Sequence, residues 1–284
     1  MRTTEQTPRM VRIPSRPIGR PSERAAVVLT CVLAAAATVA SVGGLAVNGL
    51  YTDDSQWLIA AGRGGDLVTL ALVVPVLVIA MAFALRGSIR ARLVWGGLLA
   101  YGVYKFAFYV FGAAFNDVFL AHVVAFSTSI FALIVWATGL DVRAIAARFG
   151  PRTPRRTVAV LLLGVAAIFG TLWKTFALTY AVTGHLTLGA APLAGMHLVF
   201  ALDLSLMVPS MAVGGVLLWR RVPWGYVLAT ALCVFGAAYQ ANLAAAGVFQ
   251  VNAGVPGAKV VDPLGVVTLI AFSVAAVAMV RGVE

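Results

Sequence analysis

LVWGGLLAYGVYKFAFYVFGAAFNDVFLAHVVAFSTSIFALIVWAT, residues 93–138, decides the fold. Two apolar segments of roughly 20 residues flank Asn116-Asp117, the length at which a helix crosses a hydrocarbon core of about 30 Å. In the first, Tyr101, Tyr104, Lys105 and Phe108 fall at offsets of zero, three, four and seven and share one helical face. The second adds His122 and Ser129 at the same kind of spacing. A lysine and a histidine set among hydrocarbon are costly unless partnered.

The rest of the chain repeats that pattern. Of 284 residues 61% are hydrophobic and only 11% charged, with mean hydropathy +0.96; a soluble domain carries about 25% charge. The net charge of +11 does not point to nucleic acid. Seventeen of the 21 Lys and Arg fall in termini and loops assigned to one side of a membrane, Arg63 and Lys259 on the other, and Lys105 and Lys174 inside spans. That asymmetry orients the chain with its basic side cytoplasmic and attracts anionic lipid headgroups there. No aromatic and basic surface module remains for nucleic acid once the spans are removed. Cys31 and Cys233 lie in apolar runs and read as two small buried hydrophobes. The excess of arginine over lysine and the abundant alanine suit a GC-rich bacterial genome.

The fold class expected is all-α: a polytopic bundle of eight spans with N and C termini cytoplasmic. Residues 1–24 read as a disordered basic cytoplasmic arm, and 25–284 as a single transmembrane domain. The run 25–47 is too long for a signal-peptide core and is expected to remain as the first span. Residues 48–66 read as an external segment with a glycine loop at 62–65 and Asp66 capping the second span, 67–85. Spans three and four are 93–115 and 118–138, followed by a basic loop, 141–157. Spans five to eight are 158–180, 197–219, 223–247 and 263–280, with irregular, partly re-entrant chain at 181–196. Pro75 and Pro209 sit inside spans two and six, where they kink a helix.

An internal repeat is expected, with halves 25–140 and 158–280. Arg92, Trp95, Gly96, Leu99 and Ala100 align with Arg221, Trp224, Gly225, Leu228 and Ala229. Pro75 precedes Arg86 by the same interval as Pro209 precedes Arg220, and Asp66-Leu67 and Asp203-Leu204 stand ahead of those prolines. A four-plus-four duplication of this kind is parallel, its axis along the membrane normal.

Lys105, Lys174, Asp203, His122, Gln240 and Asn242 all fall in the half of the membrane remote from the arginines. With Tyr101 and Tyr104 they form the candidate ligand-binding set. A conducting path needs polar groups at successive depths, whereas these would line an outward-facing intramembrane pocket. Asp203 is the expected counter-charge for Lys174 or Lys105, leaving a positive surplus suited to an anionic or carbonyl-bearing ligand. Structural roles stand beside this one: Lys174 snorkelling to headgroups, Gln240 and Asn242 joining helices, His122 at an interface.

No cofactor or metal is expected. The three histidines lack an i, i+4 pair, and there is no Walker loop, G-x-S-x-G or H-E-x-x-H. No catalytic residue is assigned, and enzyme function ranks third, since no catalytic spacing separates Asp203, His122 and Tyr101 from packing residues. The leading function is binding or translocation of a small polar or anionic molecule; the alternative is a membrane sensor or assembly scaffold. The strings at 65–70, 86–88 and 101–117 resemble segments of multi-spanning bacterial inner-membrane proteins that carry no assigned activity. That resemblance implies packed membrane helices in the cytoplasmic (inner) membrane and transfers no site.

Overall fold

Long apolar runs bounded by Ser, Asp and Pro become helices because hydrocarbon leaves backbone groups no partner but one another. The structure, a computed structural model, describes residues 21–47, 49–51, 54–186, 188, 191–260 and 262–284, and among these it is all-helical. Among the described residues eight helices are long and apolar enough to cross a membrane. In chain order they are α1 (Pro21–Ala46), the broken helix α2 (Gln56–Val68) and α3 (Val74–Leu85), α4 (Ile89–Gly112), and α5 (Phe119–Thr138). After a short α6 (Val142–Ala146) come α7 (Arg155–Thr183), the broken pair α8 (Leu193–Leu202) and α9 (Val208–Trp219), α10 (Pro223–Asn252) and α11 (Pro263–Arg281). Val39, Ile79, Phe131, Ile168 and Ile270 are exposed on their outer faces, as a lipid-facing surface requires.

Several expected boundaries move. Pro21 to Arg24 belong to α1, where Glu23 pairs with Arg92 at 2.7 Å; the rest of the proposed basic arm lies outside the described residues. The expected external segment ends early: Ser55 caps α2 by accepting from the Leu58 amide, so the Gly62 to Gly65 string is helix, not loop. Asp66 is therefore not a cap. It lies in the third turn of α2 and is 1% exposed. Cys31 is exposed on α1; only Cys233 is buried.

The breaks in spans two and six are π-helical turns, Thr69–Val73 and Asp203–Met207. Each opens six residues before its proline. A proline supplies no N–H and crowds the carbonyl four residues back, and a widened turn accommodates both effects. One offset relates Thr69 to Asp203, Pro75 to Pro209 and Arg86 to Arg220. The turns beyond also match: Gly87 at φ +91 and Arg221 at φ +58 are equivalent, and Ser88 and Val222 donate to the equivalent carbonyls of Phe83 and Leu217. The Trp95 and Trp224 match does not follow that offset, for Trp95 lies two turns into α4 and Trp224 is the second residue of α10.

α4 and α10 cross at the centre and are the most buried spans. Small residues permit the close approaches. A Cβ on Gly64 would meet the backbone of Ala245 at 2.7 Å, and one on Gly96 the Trp136 ring at 2.1 Å. The halves close differently. α1 and α5 pack along their length, whereas α7 and α11, their counterparts in chain order, scarcely touch. A cleft between them exposes the α10 side of the second half.

Candidate functional site

The buried ionisable residues Asp66, Lys105, His122 and Asp203 gather at the end remote from the arginine-rich loops, in and around two adjoining chambers. The first forms where α2, α4 and α10 meet. Lys105, 7% exposed, directs its ammonium between Tyr109 Oη (3.1 Å) and Asn242 Oδ1 (3.2 Å), and Tyr101 also donates to Asn242 Oδ1 (3.2 Å). The single Tyr109 hydroxyl proton faces two acceptors, Asp66 Oδ1 and the Gly62 carbonyl, each at 3.0 Å. Tyr51, from the chain that follows α1, donates to Asp66 Oδ2 at 2.9 Å. Burial and the Asp66 carboxylate push the Tyr51 phenol well above its ordinary range, which keeps it a donor.

Glycines make this arrangement possible. A Cβ on Gly65 would fall 2.1 Å from Lys105 Nζ and 2.4 Å from Asn242 Oδ1, and one on Gly44 would fall 2.0 Å from Asp66 Oδ2. Asp66 and Lys105 are linked through the Tyr109 hydroxyl, without direct contact. The cavity beside Lys105 has a volume of about 130 Å³ and is walled mainly by aromatic side chains, among them Trp57, Tyr101, Phe108 and Tyr239.

The second chamber, about 340 Å³, lies in the cleft between α7 and α11. Asp203, 2% exposed, stands at its floor. Tyr104 donates to Oδ1 at 2.6 Å and the Trp173 indole to Oδ2 at 2.7 Å. Tyr239 Oη lies 3.3 Å from Tyr104 Oη, and Trp57, Val199, Tyr239 and Leu243 line both chambers, so one wall of side chains divides them.

Of the residues expected from sequence, the structure brings Lys105, Tyr101 and Asn242 to the first chamber and Asp203 and Gln240 to the second. Tyr104 stands between, lining the first chamber and bonding Asp203. Lys174 does not join them. It is exposed on α7, whose inward face at that level is taken by its neighbour Trp173. Nor is Asp203 the ion-pair partner of either lysine: its two bonds come from neutral donors, and the acid linked to Lys105, through the Tyr109 hydroxyl, is Asp66. Sequence reasoning missed Asp66, Tyr51, Tyr109, Trp173 and Tyr239 as site residues. The available signal was helical: Gly62, Gly65, Asp66 and Thr69 follow offsets of zero, three, four and seven, the spacing that singled out the Tyr101 face.

His122 is 1% exposed and stacks on Tyr109, ring centroids 4.5 Å apart and 17° from parallel, behind the first chamber. Among the described residues neither ring nitrogen has a hydrogen-bond partner. A buried polar atom without a partner costs about 1–3 kcal/mol, so His122→Phe, which keeps the stacked ring, is expected to raise the unfolding temperature of the detergent-solubilised protein by several degrees. A fall instead would show that the imidazole has a polar partner in solution.

The chain matches no known protein family model, no curated protein and no solved structure.

Proposed function

We propose that this integral membrane protein binds a small molecule bearing an anionic or carbonyl group in the chamber beside Lys105, and passes it across or along the membrane. One observation carries the reading. A buried ammonium stands at a cavity wall, its two bonded partners are neutral oxygens, and among the described residues no carboxylate lies within 4 Å of it. An ammonium has three N–H donors and two are used, leaving one for a ligand. The broken helices support movement, since π turns and prolines interrupt the two spans that carry Asp66 and Asp203.

The surroundings belong to the same proposal: a bacterial cytoplasmic membrane, with both termini and the arginine-rich loops on the cytoplasmic side against anionic lipid, so that the chambers open outward. A parallel four-plus-four duplication accounts for the shared offset of the π turns, prolines and following turns.

Benzoate tests the site, because an aromatic-walled chamber beside one ammonium suits an aromatic carboxylate. Titrated into protein in lipid nanodiscs and followed through tryptophan fluorescence, to which Trp57 reports from the chamber wall, it is expected to bind saturably. A hydrogen bond to a charged group contributes about 1.5–3 kcal/mol, so Lys105→Met should weaken benzoate at least tenfold. The doubly neutral Asp66→Asn/Lys105→Met chain should show the same loss with its fold intact. Unchanged affinity in that double variant, or no saturable binding to the parent chain, would overturn the reading.

A further inference from the structure

The second chamber differs chemically from the first. Its one buried charge is Asp203, held by neutral donors, with no described cation paired to it. At its rim Lys259 and Asp262, both exposed, offset one another. Each carboxylate oxygen accepts one hydrogen bond and keeps a second lone pair, so the group retains acceptor capacity toward the cavity. The lining is otherwise apolar, with five aromatic side chains, Trp57, Phe169, Trp173, Tyr239 and Phe272, set among aliphatic and methionine side chains. Ring faces carry negative potential and attract cations, most strongly where water is excluded. Buried carboxylate and aromatic walls therefore favour the same sign of charge. Anions are repelled by both, and a neutral apolar molecule gains nothing from Asp203.

We propose that the cleft between α7 and α11 is a binding site for a lipophilic organic cation, an amine or quaternary ammonium whose charge rests at Asp203 and whose apolar part fills the aromatic chamber. Entry is lateral, because α7 and α11 scarcely touch and the chamber opens between them. Their counterparts α1 and α5 pack together and leave no such opening. The site is independent of the anion site at Lys105: Asp203 lies across the dividing wall, and the same protein can hold both ligands or either one.

The test compares benzyltrimethylammonium with neopentylbenzene, which has the same shape without the charge. Binding to the full chain in nanodiscs is followed through tryptophan fluorescence, to which Trp57 and Trp173 both report from the chamber wall. The cation is expected to bind saturably and at least tenfold more tightly than the neutral analogue. Asp203→Asn should remove that preference, while Asp117→Asn, an exposed carboxylate at the same end of the molecule, should leave it unaltered. Equal affinity for the two probes, loss of the preference with Asp117→Asn, or its retention in Asp203→Asn, would overturn the proposal. Should Asp203→Asn fail to fold, the comparison on the parent chain decides alone. Benzoate binding serves as a separate readout: its loss without loss of the cation, or the reverse, tells failure of one site from failure of the other.

Discussion

Asp66→Asn is expected to destabilise the protein by about 1.5–3 kcal/mol, the range for loss of hydrogen bonds to a charged group. At the size of this chain that corresponds to a drop in unfolding temperature of about 3–10 °C. The carboxylate is 1% exposed and accepts from Tyr51 and Tyr109 at 2.9 and 3.0 Å. An amide returns only one acceptor and presents two N–H donors to hydroxyls oriented to donate. Lys105 then remains buried without its counter-charge, and the Tyr109 hydroxyl that joins the two loses one of its acceptors. Adding Lys105→Met should recover more than half of the loss, because an apolar side chain of similar length needs no counter-ion. The cycle of single and double variants, followed by thermal unfolding in detergent, isolates the coupling between the two positions. If Asp66→Asn lowers stability by less than about 1 kcal/mol, or the losses simply add, the two charges do not hold these helices together.

Asp66 also shows what the sequence made legible. Helix number and class follow from apolar length, because hydrocarbon thickness is a hard constraint that each span meets separately. Lys105, Tyr101 and Asn242 were recoverable because an isolated polar residue in a long apolar run is conspicuous. Asp66 was hidden by its company. Gly62, Arg63, Gly64 and Gly65 read as turn residues, and an acid after them reads as a helix cap. Those glycines are instead contact residues, and which of them meets a neighbour is a property of the tertiary arrangement. The choice of counter-charge failed for the same reason. Asp203 and Lys105 lie at similar depths, but depth says nothing about azimuth, and the Tyr104 and Tyr239 side chains separate the acid from the lysine. The π turns were out of reach as well: proline marks an interruption in a helix without saying how the backbone resolves it.

The glycine string can be tested at one position. Gly65→Ala is expected to abolish saturable benzoate binding and to cost about 1–3 kcal/mol of stability, the usual penalty for overfilling a packed site. Its new methyl group would fall 2.1 Å from Lys105 Nζ and 2.4 Å from Asn242 Oδ1, where both atoms are already bonded to one another. The lysine has a flexible stem, and the room open to its displaced ammonium is the ligand cavity itself. Displacing its ammonium breaks the bonds to Tyr109 and Asn242 and moves the chamber's buried cation off the cavity wall. Gly164→Ala supplies the matched comparison. It makes the same chemical change inside α7, where a Cβ meets nothing within 4 Å. There the gain in helix propensity, about 0.8–1 kcal/mol, is unopposed, and stability should hold or rise with benzoate binding unaltered. Were Gly65 part of a surface loop, the two substitutions would behave alike; a difference in sign between them is what a lysine wedged against a helix backbone demands.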